Sequence, residues 1–340
     1  MFHDIVETPP IFGGESIDAT KTFRLVFVVI LKQHVRSTGY CKHCWELFDS
    51  FGQLHQTLSV GEDSGLGPSK GPVGCVKLGL LMNSGIADVT EGLSRWRLWT
   101  SLAWEEFRAR YHKTFIGPIW LTVSFLAFIA VKVFIFGALN TGDGDYFVSY
   151  LTIGFMVWTY ITNAINGGCA ALVLSRNWIL GIRSPYSIFV LKNLCESAIS
   201  LFFVSISALV IAYFYTPFRP IDGMWACIGA IVLLVSLFWW QLLFSVICIF
   251  ARDLIQLVST FMRIAFFLTP IIWIPESIGI RSEFVYYNPF SHFIALVRAP
   301  LLGEGIPLDS YLIVAVLTGF AFFASLFALS IGKKHIALYI

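Results

Sequence analysis

Six apolar segments constrain this chain more than any other feature. They run over about residues 115–139, 147–171, 194–215, 224–249, 254–274 and 309–331. Each is close to the length that crosses about 30 Å of hydrocarbon. Every one must be a helix, because an isolated strand leaves its backbone polar groups unpaired in lipid. Composition agrees: 13% of the residues are charged and 57% hydrophobic, against roughly 25% charged in a soluble domain. The fold class is therefore all-α, a polytopic membrane protein with six transmembrane helices.

The flanking charges give these spans a direction. One set of flanks holds Arg95, Arg97, Arg108, Arg110, Lys113, Arg176, Arg183, Lys192, Arg252, Lys333 and Lys334. The other holds Arg219, Arg281 and Arg298 and collects acids such as Asp143, Asp145, Glu304 and Asp309. Lys and Arg in short loops mark the cytoplasmic side, so both termini are expected there in a multi-pass protein.

Residues 1–90 are mixed in character and read as an N-terminal extension of unknown role, cytoplasmic, with a Gly/Ser/Pro-rich linker at 61–74. The first residues, acidic and broken by Pro and Gly, do not read as a signal peptide. In "CKHC" (41–44) the cysteine spacing suits zinc, but no second ligand pair matches it. A reduced pair of thiols is the reading, and no metal is expected. Residues 91–340 form the transmembrane domain.

Ahead of the first span, residues 93–113 read as an amphipathic helix. Trp96, Trp99, Ala103, Phe107 and Tyr111 share one face, opposite Arg97, Ser101, Glu105, Arg108 and His112. Such a helix lies along a membrane surface, with its cations toward anionic headgroups. Gly117-Pro118 then allows the bend into the bilayer, since proline is tolerated in the first turn of a helix. Between the fifth and sixth spans, residues 269–309 carry five prolines yet stay apolar. They read as short re-entrant helices, because irregular backbone at that depth needs cover from protein or a water-filled cavity.

No enzyme signature stands up: the chain lacks GxxxxGK[ST], HExxH and GxSxG, and no catalytic residue is assigned. If the protein moves something uphill, its energy source is expected in a separate subunit. Intramembrane charges mark pathways, which makes Lys132 and Arg263 candidates for a substrate path. Aromatic residues placed mid-span, Trp158, Tyr160 and Trp239, join them, because sugar rings stack on aromatic faces.

These residues together resemble the permease subunits of ABC-2 type exporters of polysaccharide, those for O-antigen, capsule and teichoic acid. The carriers are "FRARYHKTFIGPIW" (107–120), "ARDL" (251–254), "TPIIW" (269–273) and "YNPF" with "LVRAPLL" (287–302), in that order among six spans. The resemblance implies a homodimer at the inner (cytoplasmic) membrane, bound to two copies of an ABC ATP-binding subunit that holds ATP and magnesium. This chain then has no cofactor of its own and no nucleic-acid partner. It implies a lipid-linked glycan as substrate, with Arg108, Arg110 and Lys113 gathering its phosphates and the first and fifth spans along the conduit, where Lys132, Arg263 and Trp273 lie. It also implies an ATPase-coupling segment at 175–193, carrying Arg176, Trp178, Arg183, Ser184 and Pro185. An exporter of drugs or small lipids, and a non-transporting component of glycan assembly, are the alternatives.

Overall fold

In the computed structural model, residues 73–112, 116–137, 144–181, 184–215, 220–275, 282–333 and 335–336 are described; for 73–82, 220–222 and 282–284 this holds for the backbone alone. Residues 1–72, with CKHC and most of the linker, lie outside them, as do Lys113 and Arg183. Among the described residues every regular element is a helix. In chain order these are α1 (Val73–Ser94), α2 (Trp96–Tyr111), α3 (Ile119–Phe136), α4 (Gly144–Leu174), α5 (Arg176–Gly181), α6 (Ser187–Tyr215), α7 (Pro220–Phe250), α8 (Asp253–Leu268), α9 (Ser282–Tyr287), α10 (Pro289–Leu302) and α11 (Leu308–Gly332).

Five of them, α3, α4, α6, α7 and α11, are long and apolar enough to cross a membrane. The expected span over 254–274 is shorter: α8 has 16 residues, about 24 Å at 1.5 Å per residue. The cause is local. Proline disfavours the α conformation in the residue before it, and Thr269, preceding Pro270, is extended at φ −92°, ψ 136°. The chain then continues as irregular backbone, with Ile271 and Ile272 buried.

Helix α4 is the central post. Of its most apolar window 72% is buried, against 11% for α3, so α3 lies at the periphery with Phe134 and Phe128 exposed. Around α4 pack α6 and α7, and α7 in turn carries α10 and α11. One core cluster surrounds Leu151, Ile153, Ile161 and Ile294. A second, at the end of the bundle where α4 finishes and α6 begins, holds Val89, Leu172, Phe189 and Leu329.

The boundary expected at residues 90 and 91 falls inside α1, which lies in one compact unit with the spans. The amphipathic helix is α2, with Ala103 and Phe107 buried and Trp96 and Trp104 exposed. At the bend, Gly117 takes φ +64°, a conformation glycine reaches without strain, and Pro118 occupies the N-cap of α3. The turn from α7 to α8 is the ARDL motif, closed by Leu254 N–H to Ala251 O (3.0 Å) and Ile255 N–H to Arg252 O (3.1 Å). Asp253 opens α8, where a carboxylate suits the helix dipole.

Candidate substrate path and coupling surface

Lys132 on α3 turns inward onto three phenyl rings. Its ammonium lies 4.4 Å from the ring centre of Phe266, 4.9 Å from Phe155 and 6.0 Å from Phe128. The negative face of each ring attracts the cation, and the three rings belong to α8, α4 and α3. Phe266 also touches Trp158, which meets Phe290 edge-on. Lys132 and Trp158, read separately from the sequence, are therefore joined through one phenyl ring. Trp158 is 5% exposed, so aromatic neighbours already cover it within this chain. Arg263 is exposed on α8, one turn before Phe267. Trp273 donates its indole N–H to Phe267 O at 3.2 Å. Tyr160 is buried on α4. Trp239 lies apart, between Phe238 and Phe322 on the α7–α11 contact.

The two motifs beyond α8 meet each other. Asn288, of YNPF, accepts the Phe290 N–H at 3.0 Å and caps α10, as asparagine commonly does. Its amide also donates to Leu268 O (3.2 Å) and to the Thr269 hydroxyl (3.0 Å). From α10, Arg298 donates to Pro270 O at 2.7 Å and stacks 3.8 Å over the Tyr150 ring. Tyr150 donates to the same carbonyl at 3.1 Å. The irregular strip after Thr269 is thus held by α4 and α10 together. At the far end of α10, Gly303 takes φ +76°, and Glu304 N–H reaches back to Ala299 O, the bond of a Schellman end. In the sequence Arg298 reads as a flank charge and as part of LVRAPLL. Its signal was visible, since a lone cation inside "FIALVRAPLL" must find a partner if buried.

On α2, Arg108 is exposed and Arg110 pairs with Glu196 of α6, while Lys192 pairs with Glu106. Glu196 is 8% exposed on its side chain, an acid the sequence reading passed over. Burial raises the Tyr111 phenol above its ordinary pKa, against the lowering effect of Arg110. Helix α2 therefore docks on α6 through Phe107, stacked on Phe203, as well as presenting cations. Of the coupling residues, Arg176 and Trp178 lie on α5, which buries none of its residues. Ser184 and Pro185 lead into α6. Among the described residues no three His, Cys, Asp or Glu side chains gather as metal ligands would.

Fold and site together define a multi-pass helical membrane protein, with a cation set among aromatic rings between its helices. The chain belongs to the ABC-2 type transporter family, whose profile matches residues 97–302. It is similar to the O-antigen export system permease protein RfbA of Klebsiella pneumoniae, 24% identical over 219 residues, which are 64% of this chain and 84% of that relative. It is also similar to the RfbA of Myxococcus xanthus, 24% identical over 221 residues, 61% of this chain and 81% of the relative.

Proposed function

We propose that this chain is the permease subunit of an ATP-driven exporter that carries a lipid-linked polysaccharide across the inner membrane. The observation that carries the reading is the likeness to O-antigen export permeases across most of their length. In this account two copies pair and recruit two ATP-binding subunits, which hold ATP and magnesium. Both termini face the cytoplasm, as the flank charges suggest.

The residues take the following roles. Arg108, with Lys113 and Arg110, draws the glycan's phosphates toward the α2–α3 bend; Arg110 does so less, since Glu196 already engages it. Lys132 and Arg263 offer cations along α3 and α8, where charge-assisted bonds to a pyrophosphate are strong. Trp273, Tyr160 and the aromatic cluster around Trp158 shape that side of the path. On the coupling surface, exposed Trp178 and Arg176 of α5 dock on the ATP-binding subunit with Arg183 as a further cation, and Ser184 and Pro185 lead the chain into α6.

The test is deletion of the gene and complementation with the full chain, or with Arg108→Gln combined with Lys113→Gln. Surface glycan should return with the first and fall with the second at equal membrane abundance. Full export by the double variant would remove the threshold role. Unchanged glycan on deletion would remove the function and favour an exporter of drugs or small lipids.

A further inference from the structure

The start of helix α6 is capped from another helix. A helix leaves its first N–H groups without intrahelical partners. Here the Ile188 and Phe189 N–H groups turn back to Pro185 O and Tyr186 O, both at 3.3 Å, and neither Pro185 nor Tyr186 carries a short polar side chain for the N–H groups of Tyr186 and Ser187. The acceptor comes from α1 instead. Asp88 Oδ1 accepts the Ser187 N–H at 3.0 Å, and Oδ2 accepts the Tyr186 N–H at 3.3 Å. The Ser187 hydroxyl donates back to Asp88 O at 2.8 Å. The same Oδ2 lies 3.1 Å from the Lys333 ammonium, just past the end of α11, and the Asp88 side chain is 0% exposed.

One buried carboxylate therefore ties three elements: α1, the start of α6 and the end of α11. The helices are close enough to make the tie rigid. A Cβ on Gly92 would fall 2.2 Å from Ser187 Oγ, and one on Gly85 would fall 3.0 Å from Leu326 O. Val89 fills the space between, in the cluster with Phe189 and Leu329. A negative charge at a helix N-terminus and a cation near a C-terminus are each favourable to the helix dipoles. Asp88 and Lys333 thus serve α6, α11 and each other at once. Asp88 and Lys333 lie outside the 97–302 match to the family, so that match assigns them nothing.

We propose that Asp88 is a positioning residue for the coupling segment. Through it α1 fixes the limb at 184–187 that follows the coupling helix and binds it to the end of α11, so that a push on that limb moves α6 and α11 as one body. The inference rests on the reading of 175–193 as the surface that receives motion from an ATP-binding partner. The geometry explains why the limb needs such an anchor. Helix α5 buries none of its residues, whereas Pro185 and Ser187 are buried, and Asp88 holds the N–H groups of Tyr186 and Ser187 there. Force applied at exposed α5 reaches the spans through that buried end.

The experiment uses the full chain in its own host, with its partner subunits present. Wild type, Asp88→Asn, Lys333→Met and Lys333→Arg are compared for membrane abundance, for surface glycan per copy and for ATP hydrolysis by the co-purified complex. Asp88→Asn and Lys333→Met should each lower glycan per copy about fivefold or more, the lower range of coupling between sites. Abundance and ATP hydrolysis should be kept, and Lys333→Arg should recover most of the loss. A purely structural role would lower abundance and leave glycan per copy alone, which would overturn the proposal. Lys333→Arg no better than Lys333→Met would overturn it as well.

Amide exchange on the purified chain gives an arm independent of transport. Asp88→Ala should speed exchange at Tyr186 and Ser187 about tenfold, as expected for loss of a helix cap. Unchanged protection there would refute the clamp outright. If wild type itself fails to restore glycan, the export reading falls, and this exchange result alone decides whether the clamp stands.

Discussion

Replacing Gly229 with alanine should force α7 and α10 apart. A Cβ built on Gly229 falls 2.1 Å from Leu296 O and 2.7 Å from its carbonyl carbon. Carbon and oxygen in favourable contact approach to about 3.3 Å, so the two backbones must separate by about 1 Å. Backbone cannot turn aside as a flexible side chain would. Leu296 is two residues before Arg298, whose bond to Pro270 O measures 2.7 Å. Stretched by a similar amount, that bond passes the limit of useful geometry. Overpacking costs about 1–3 kcal/mol, and the lost bond from a charged guanidinium about 1.5–3 kcal/mol. Together they give a destabilisation of about 2.5–6 kcal/mol, large for an interface where small residues let membrane helices meet. The assay is equilibrium unfolding of the purified chain in mixed micelles, with Gly319→Ala as the comparison. No atom lies within 4 Å of a Cβ at Gly319. Alanine there should be neutral or stabilising by up to about 1 kcal/mol, since it favours helix over glycine. Equal midpoints for wild type and Gly229→Ala would refute the reasoning, as would equal losses for the two variants.

Lys132→Met removes a cation that three rings hold at 4.4–6.0 Å, a gain of about 0.5–2 kcal/mol set against the cost of a charge in a span. Stability should therefore change little while export per copy drops; export that merely tracks protein abundance would take Lys132 off the path. Arg110→Met leaves the Glu196 carboxylate without its ion-pair partner; because Arg110 is half exposed and water screens the pair, the loss should be about 1 kcal/mol, below that of a fully buried pair. Adding Glu196→Gln should recover most of that loss, and strict additivity in the double-mutant cycle would show that the pair contributes nothing. Asn288→Ala loses the α10 cap and both bonds to residues 268 and 269, so it should cost about 1–2 kcal/mol and raise proteolysis between α8 and α10. Unaltered cleavage there would argue that the α8–α10 junction is held by other contacts.

The spans were legible because hydropathy ends abruptly at charges. Arg252 and Asp253 mark one boundary, and the structure begins α8 at Asp253. The exception is the far end of α8. There "TPIIWI" stays apolar past the point where Pro270 stops the helix, and hydropathy cannot separate an apolar helix from apolar irregular backbone. Helix α1 escaped notice for a related reason. Gly85 and Gly92 weaken a helical pattern, yet here each is the point of contact with another helix. The basic end of α2 and the Gly117-Pro118 bend could be read locally, since every residue involved is a near neighbour in sequence.

The partners of the charges could not be read in that way. Asp88 meets Ser187 across 99 positions and Arg298 meets Pro270 across 28, and no local period encodes such pairings. For the same reason the mid-span aromatics gave no sign of which rings touch. Trp158 and Trp239 look alike in sequence, yet one joins the Lys132 cluster and the other the α7–α11 contact.

The central claim, that this chain moves a lipid-linked glycan outward, is tested most directly by locating that glycan in cells lacking the gene. The glycan should accumulate, lipid-linked, on the inner face of the cytoplasmic membrane, and the full chain should return it to the surface. A deletion strain with normal surface glycan and no internal accumulation would contradict the claim.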